Sequence, residues 1–179
     1  MGKLAKPRAY GGAPAFTLIE IIVTMVILAI VALIAVPMMS GAATMQVRGA
    51  ANRLAADLEY AKNMAITHQR PFTVVFDTNA SEYAVYDSAD TDPIIHPVTR
   101  REFVVSFAAE RGLRRVRIET VELEPAGSDT ALTFDFLGTP LVEGAPLDSG
   151  EITLTSDDGF TLIVAVEPMT GYITIEGAP

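Results

Sequence analysis

Cysteine is absent from the chain and histidine occurs only twice. Without thiols there is no disulfide framework, no cysteine nucleophile and no cysteine-ligated zinc, so an exported domain has to be held by its core alone. Cations are also scarce: 13 Lys and Arg stand against 22 Asp and Glu, a formal net charge of −9. That balance argues against a general nucleic-acid binder, whose affinity comes from neutralising phosphates. Apolar residues, in contrast, make up half of the 179 residues, which rules out intrinsic disorder and suits one domain with an appendage. The mean hydropathy of +0.33 is high for a chain with 20% charged residues. The excess is concentrated, because from Phe16 to Met39 the only charge in 24 residues is Glu20.

Residues 1–15 contain Lys3, Lys6 and Arg8 and no acid. A basic stretch before an apolar run holds a chain on the cytoplasmic side while the run enters the membrane. As a helix rising about 1.5 Å per residue, residues 16–39 extend about 36 Å, enough to cross a hydrocarbon core of about 30 Å. The run is longer than the apolar region of a secretory signal peptide, and it carries an acid. An ionised carboxylate in such a run costs about 2.5–3.5 kcal/mol, so Glu20 either reaches the headgroups from near a helix end or has a partner or a function.

The residues Phe16-Thr-Leu-Ile-Glu20, after a short basic leader and before a nearly uncharged run, resemble the class III signal of type IV pilins and type II secretion pseudopilins. The resemblance implies that prepilin peptidase cuts between Ala15 and Phe16, and that Phe16 becomes the N-methylated terminus. It implies that Glu20 pairs with the terminal ammonium of a neighbouring subunit during assembly. Two charges that are each costly in lipid become tolerable when paired across adjacent helices. Pro37 falls where pilins often carry a helix-disrupting proline, which lacks an N–H and kinks or locally melts a helix, here beside Ser40 and Gly41. Family leaders usually end in glycine, and this one ends in Ala15, so cleavage is expected at reduced efficiency.

Beyond the proline, Val47, Ala51, Leu54, Leu58, Ala61 and Ala65 recur in steps of four and three, while Arg48, Arg53, Asp57 and Lys62 occupy other faces. The pattern predicts a half-buried amphipathic helix over 40–69, ending before Pro71. The competing reading, a free-standing helix on the membrane surface, would favour a strongly basic polar face, and this one is mixed in sign. Eight strand-like runs follow: Phe72 to Phe76, Glu82 to Tyr86, Phe103 to Phe107, Arg115 to Val121, Ala131 to Phe136, Glu151 to Thr155, Phe160 to Val166 and Tyr172 to Ile175. Asp158-Gly159 between two apolar runs is the strongest hairpin signal. The predicted fold class is therefore α+β: a long N-terminal helix, half transmembrane and half amphipathic, packed on an antiparallel β-sheet or sandwich domain over 70–179.

The order of these features resembles the H-type minor pseudopilins and the FimT-like minor pilins. The residues that carry it are Gln69-Arg70-Pro71, Phe136-Leu137-Gly138 and Thr170-Gly171-Tyr172. The expected function is that of a minor pseudopilin, a structural subunit of the type II secretion pseudopilus that helps export proteins through the outer membrane. The alternative is a minor pilin of a type IV pilus, serving adhesion or DNA uptake. Expected partners are other pseudopilins or pilins in a helical filament, prepilin peptidase, the inner-membrane assembly platform and the membrane itself. The expected location is the bacterial inner membrane, crossed once, with the C-terminal domain in the periplasm and later in the pseudopilus.

No enzyme activity, cofactor or metal is expected. His68 and His96 are 28 residues apart, and no P-loop, dinucleotide-binding glycine pattern or Gly-x-Ser-x-Gly elbow occurs. Asp87, Asp90 and Asp92 form an acidic loop that offers hard oxygen ligands to calcium but lacks EF-hand spacing, so a solvated turn is the simpler reading. Arg100, Arg101, Arg111, Arg114, Arg115 and Arg117 make the one basic concentration outside the leader. In DNA-binding FimT-like relatives the basic motif lies in the C-terminal tail. Here that tail, YITIEGAP, has no Lys or Arg, and loss of three leader cations leaves ten against 22 acids, or −12. Nucleic acid is therefore not an expected partner, and the arginines are read as a solvated face or a subunit contact.

Overall fold

The computed structural model describes residues 16–125 and 130–177, with the backbone alone for residues 34–40 and 42. The leader, including Ala15, lies outside the described residues. The chain divides into two compact units, Met1–Met39 and Ser40–Pro179.

One helix, α1, runs Leu18–His68. Its part in the first unit is apolar on every side, and the described residues 16–33 are all exposed. Leu18, Ile19, Met25, Leu28 and Leu33 are each 65–78% exposed. Among the described residues no helical stretch is long and apolar enough to cross a membrane. Within the apolar run side chains are described for residues 16–33, and its sequence continues to Met39. Pro37 lies inside α1, whose helical assignment is continuous.

In the second unit the helix is amphipathic. Val47, Ala51, Leu54, Leu58, Ala61 and Ala65 are all fully buried, as their spacing predicts, together with Ala43 and Ala50. The free-standing surface helix is thereby excluded. The helix ends one residue before the expected Gln69. Gln69 itself takes a left-handed conformation (φ 54°), and the Arg70 N–H closes back on the Ala65 carbonyl at 3.3 Å, a cap of the Schellman kind.

Among the described residues ten antiparallel strands form two sheets. In chain order they are β1 Phe72–Asp77, β2 Glu82–Asp87, β3 Val104–Ser106, β4 Val116–Glu124, β5 Ala131–Phe134, β6 Pro140–Val142, β7 Ala145–Pro146, β8 Ser149–Ser156, β9 Thr161–Val166 and β10 Ile173–Gly177. One sheet has the order β3-β2-β1-β5-β6-β7 and the other β10-β9-β8-β4. Alternate residues of β1, β5 and β9 are buried, as expected of strands with one face on a core. The core joins the helix stripe to Phe72, Phe76, Tyr83, Phe103, Phe107 and Phe134 and to aliphatic residues of both sheets.

All eight expected strands are present with shifted ends. Two short ones, β6 and β7, were not expected. Pro140 and Pro146 disguise them, since proline reads as a strand breaker and is tolerated only at edges and ends. They meet at Glu143-Gly144, both with positive φ (50° and 85°), as a two-residue hairpin loop of the primed type requires. The Asp158-Gly159 hairpin is present, but its loop has three residues: Ser156 N–H bonds the Phe160 carbonyl at 2.9 Å, and Gly159 holds the left-handed position.

Candidate functional site

The first candidate is the start of α1. Thr17 precedes its first residue, and the Glu20 N–H reaches both the Thr17 side-chain oxygen (3.3 Å) and the Thr17 carbonyl (3.1 Å). Thr17 is thus the N-cap and Glu20 occupies N3, the spacing of a capping box. The sequence carries that signal, a threonine followed three residues later by a glutamate just before an apolar run, in addition to the charge itself. The two roles are compatible. An acid in the first turn is favoured by the helix dipole. Phe16 is 75% exposed and Glu20 is exposed.

A second constellation lies where α1 meets the two glycine turns. Lys62 Nζ donates to the Gly171 carbonyl and to Glu59 Oε1, both at 2.9 Å. A Cβ on Gly138 (φ 85°) would stand 2.9 Å from Ile66 Cδ1, and one on Gly171 (φ 57°) would stand 2.8 Å from the Gly138 carbonyl oxygen. Asp135 Oδ1 fixes the first turn by accepting from Leu137 N–H (2.8 Å) and Thr139 N–H (2.7 Å). Two turns that are separate in the sequence therefore converge on one turn of helix, and the glycines are needed there for conformation and for close approach.

A polar network ties the helix to the loop after β3. Arg53 Nη1 contacts Glu110 Oε2 at 2.6 Å, and its Nε lies 3.6 Å from Asp57 Oδ2. The Tyr83 hydroxyl donates to Asp57 Oδ2 at 2.6 Å. Burial pushes the Asp57 carboxyl above its ordinary range, against the Tyr83 hydrogen bond and the Arg53 charge, which pull it down. The Tyr83 phenol is pushed well above its ordinary value, first by burial and then by the Asp57 charge. Charge satisfaction in a half-buried setting explains this cluster, which contains no nucleophile aligned with a base.

Asp87 is not in a solvated turn. It is buried, ion-paired with Arg70, and accepts the Ala89 N–H at 3.1 Å, while Asp90 and Asp92 are exposed. Among the described residues no group of three or more His, Cys, Asp or Glu side chains could hold a metal. His96 Nδ1 accepts the Val98 and Thr99 N–H groups (3.1 and 3.4 Å) and its ring lies 4.4 Å from that of Phe103, so it shapes a turn. His68 is exposed beside Phe72. Arg100, Arg101, Arg111, Arg114, Arg115 and Arg117 are all exposed.

Residues 50–169, well over half of the chain, match the family described as type II transport protein GspH. The chain belongs to the GspH family. Residues 14–36 match the prokaryotic N-terminal methylation motif. The two matches leave Pro37 between them, and the GspH match ends just before Thr170-Gly171. The minor pseudopilin EpsH from the type 2 secretion system of Vibrio cholerae has the same kind of fold. That structure is 14% identical, with 74% of this chain and 97% of that chain covered and a TM-score of 0.53. Two crystal structures of the type IV minor pilin FimU of Pseudomonas aeruginosa also match. They are 15% and 16% identical, cover 74% and 76% of this chain and 92% and 90% of theirs, and have TM-scores of 0.43 and 0.46. No curated protein matches the chain. Against this GspH-family background, the pilin-like α+β fold carries a helix that is mostly apolar and exposed over its described residues up to Leu33 and amphipathic where it joins the β-domain.

Proposed function

We propose that this chain is a minor pseudopilin of a type II secretion system, a structural subunit with no enzymatic role. The observation that carries the reading is the uncovered apolar surface of residues 16–33, joined in one chain to a GspH-family domain. A helix apolar on all sides requires cover, which lipid supplies before assembly and neighbouring helices supply in a fibre. The chain is held in the inner membrane by residues 16–39, with the domain from Ser40 onward in the periplasm. Prepilin peptidase removes residues 1–15, Phe16 is N-methylated, and the subunit passes through the assembly platform into a filament of related pseudopilins. Glu20 pairs there with the terminal ammonium of a neighbour and so sets register, while burial of the helix supplies non-directional attraction. Pro37, which withholds one N–H from the helix ladder, is the point at which α1 yields when helices pack.

The test is the N-terminus of the chain extracted from bacterial envelopes. Intact-mass and peptide analysis should give a species beginning at N-methylated Phe16 that co-purifies with other pseudopilins. A chain beginning at Met1 and recovered alone would refute both processing and assembly.

A further inference from the structure

We infer that the arginines of the β3–β4 connection bind the phosphates of anionic lipid headgroups while the unassembled subunit sits in the membrane, an inference that rests on the membrane-anchored reading above. Three contacts order this connection along the helix. Glu110 meets Arg53 at 2.6 Å, Leu113 Cδ2 lies 3.7 Å from the place of a Gly49 Cβ, and the Arg115 N–H reaches Gln46 Oε1 at 3.4 Å. As the loop advances from 110 to 115, the helix partner retreats from 53 to 46. The loop therefore runs toward the beginning of the globular unit.

That direction brings it to the helix residues that follow the apolar run in sequence. Gln46 is six residues after Ser40, where the globular unit begins. Even fully extended, six residues span only about 20 Å, so the tether from Ser40 to the helix turn that meets Arg115 is short. Arg48, Arg111, Arg114, Arg115 and Arg117 are all exposed here. The acids near them include Glu119, exposed two residues after Arg117 on β4. Glu110 is engaged by Arg53, Asp157 lies 4.0 Å from Arg117 and bonds the Arg115 carbonyl through its N–H, and Asp158 follows in the same turn. Met45, 75% exposed and one helical turn before Arg48 and Gly49, adds an apolar side chain of the kind that the headgroup boundary covers.

The chemistry selects phosphate, because guanidinium groups pair with it in a planar, bidentate way. Position selects a lipid source over DNA: the cluster is confined to the end nearest the anchor, in a chain that is acidic elsewhere, and the C-terminal tail has no cation. The arrangement also avoids a conflict. Cations next to a span in sequence oppose its translocation, but the four arginines at 111–117 lie far from the span in sequence and are brought near it only by folding.

The absence of cysteine makes the test clean. Gly112 has no positive φ and nothing within 4 Å of an added Cβ, so Gly112→Cys supplies a single labelling site beside the arginines. The full chain carrying a fluorophore there is reconstituted into phosphatidylcholine vesicles with or without phosphatidylglycerol, and quenching by a headgroup-attached nitroxide lipid is read together with vesicle flotation. Phosphatidylglycerol should raise quenching several-fold, and high salt or the combined substitution Arg111→Gln, Arg114→Gln and Arg115→Gln should remove the rise, with flotation unchanged throughout. A chain that floats but is quenched equally in both vesicles, or equally after the triple substitution, overturns the inference and leaves the anchor intact. Failure to float at all overturns the anchor. Arginine-dependent binding of double-stranded DNA without a response to anionic lipid would reassign the cluster to nucleic acid.

Discussion

Tyr83 and Asp57 illustrate how single residues hold the β-domain to its helix. The phenol is fully buried and has one partner, the carboxylate at 2.6 Å. Tyr83→Phe should lower stability by about 1–2 kcal/mol, since it removes a hydrogen bond to a charged acceptor that burial has already stripped of water. The pair also sets a pH dependence. The raised Tyr83 value means that its contribution is complete below about pH 10 and declines above it, because the unfolded tyrosine releases its proton first. The raised Asp57 value acts in the same direction at the acid end: stability falls as pH rises from about 3.9 through the folded value, because the folded carboxyl retains its proton longer. Urea unfolding of wild type and Tyr83→Phe across pH should show the alkaline decline weakened in the variant. Arg70 and Asp87 form a comparable pair, which the sequence concealed because Asp87 sits in a run of aspartates that reads as a turn.

The elements are joined most tightly where the Phe136-Leu137-Gly138 and Thr170-Gly171 turns meet Lys62 and Ile66 of α1. Gly171→Ala should cost about 1–3 kcal/mol, measured as a shifted urea midpoint at unchanged slope, because the site combines a positive φ with a backbone oxygen 2.8 Å from the new Cβ. Much at this level was legible in the sequence. A stripe of six small and apolar residues from Val47 to Ala65 specified both the helix and its buried face, since helical period and burial express the same geometry. Asp158-Gly159 specified a hairpin, although loop length depends on strand register, which neither residue encodes. The β6–β7 hairpin was hidden by its prolines, and the Thr17–Glu20 cap was hidden by the more conspicuous charge. Contacts between distant segments, such as Lys62 with Gly171 or Arg53 with Glu110, leave no periodic trace and become visible only in the folded chain.

Taken as a whole, the molecule pairs an acidic globular unit, whose helix stripe and sheets share one core, with a helical segment whose described side chains are all exposed. Residues 16–33 of the first unit are mostly apolar and all exposed, and the one charge among them, Glu20, stands in the first helical turn. The absence of cysteine leaves the domain dependent on one continuous core, in which the helix stripe and both sheets take part. An uncovered helix attached to a self-sufficient domain is the organisation of a subunit that completes its burial in an assembly. In the function proposed above, pairing of Glu20 is what makes that assembly specific rather than merely hydrophobic. Pseudopilus fibres affinity-purified from envelopes producing tagged wild type or Glu20→Ala at equal levels should contain at least about tenfold less of the variant, since losing a charge pair in an apolar surrounding is worth more than about 1.4 kcal/mol. Equal incorporation of the two chains would contradict charge pairing as the basis of assembly.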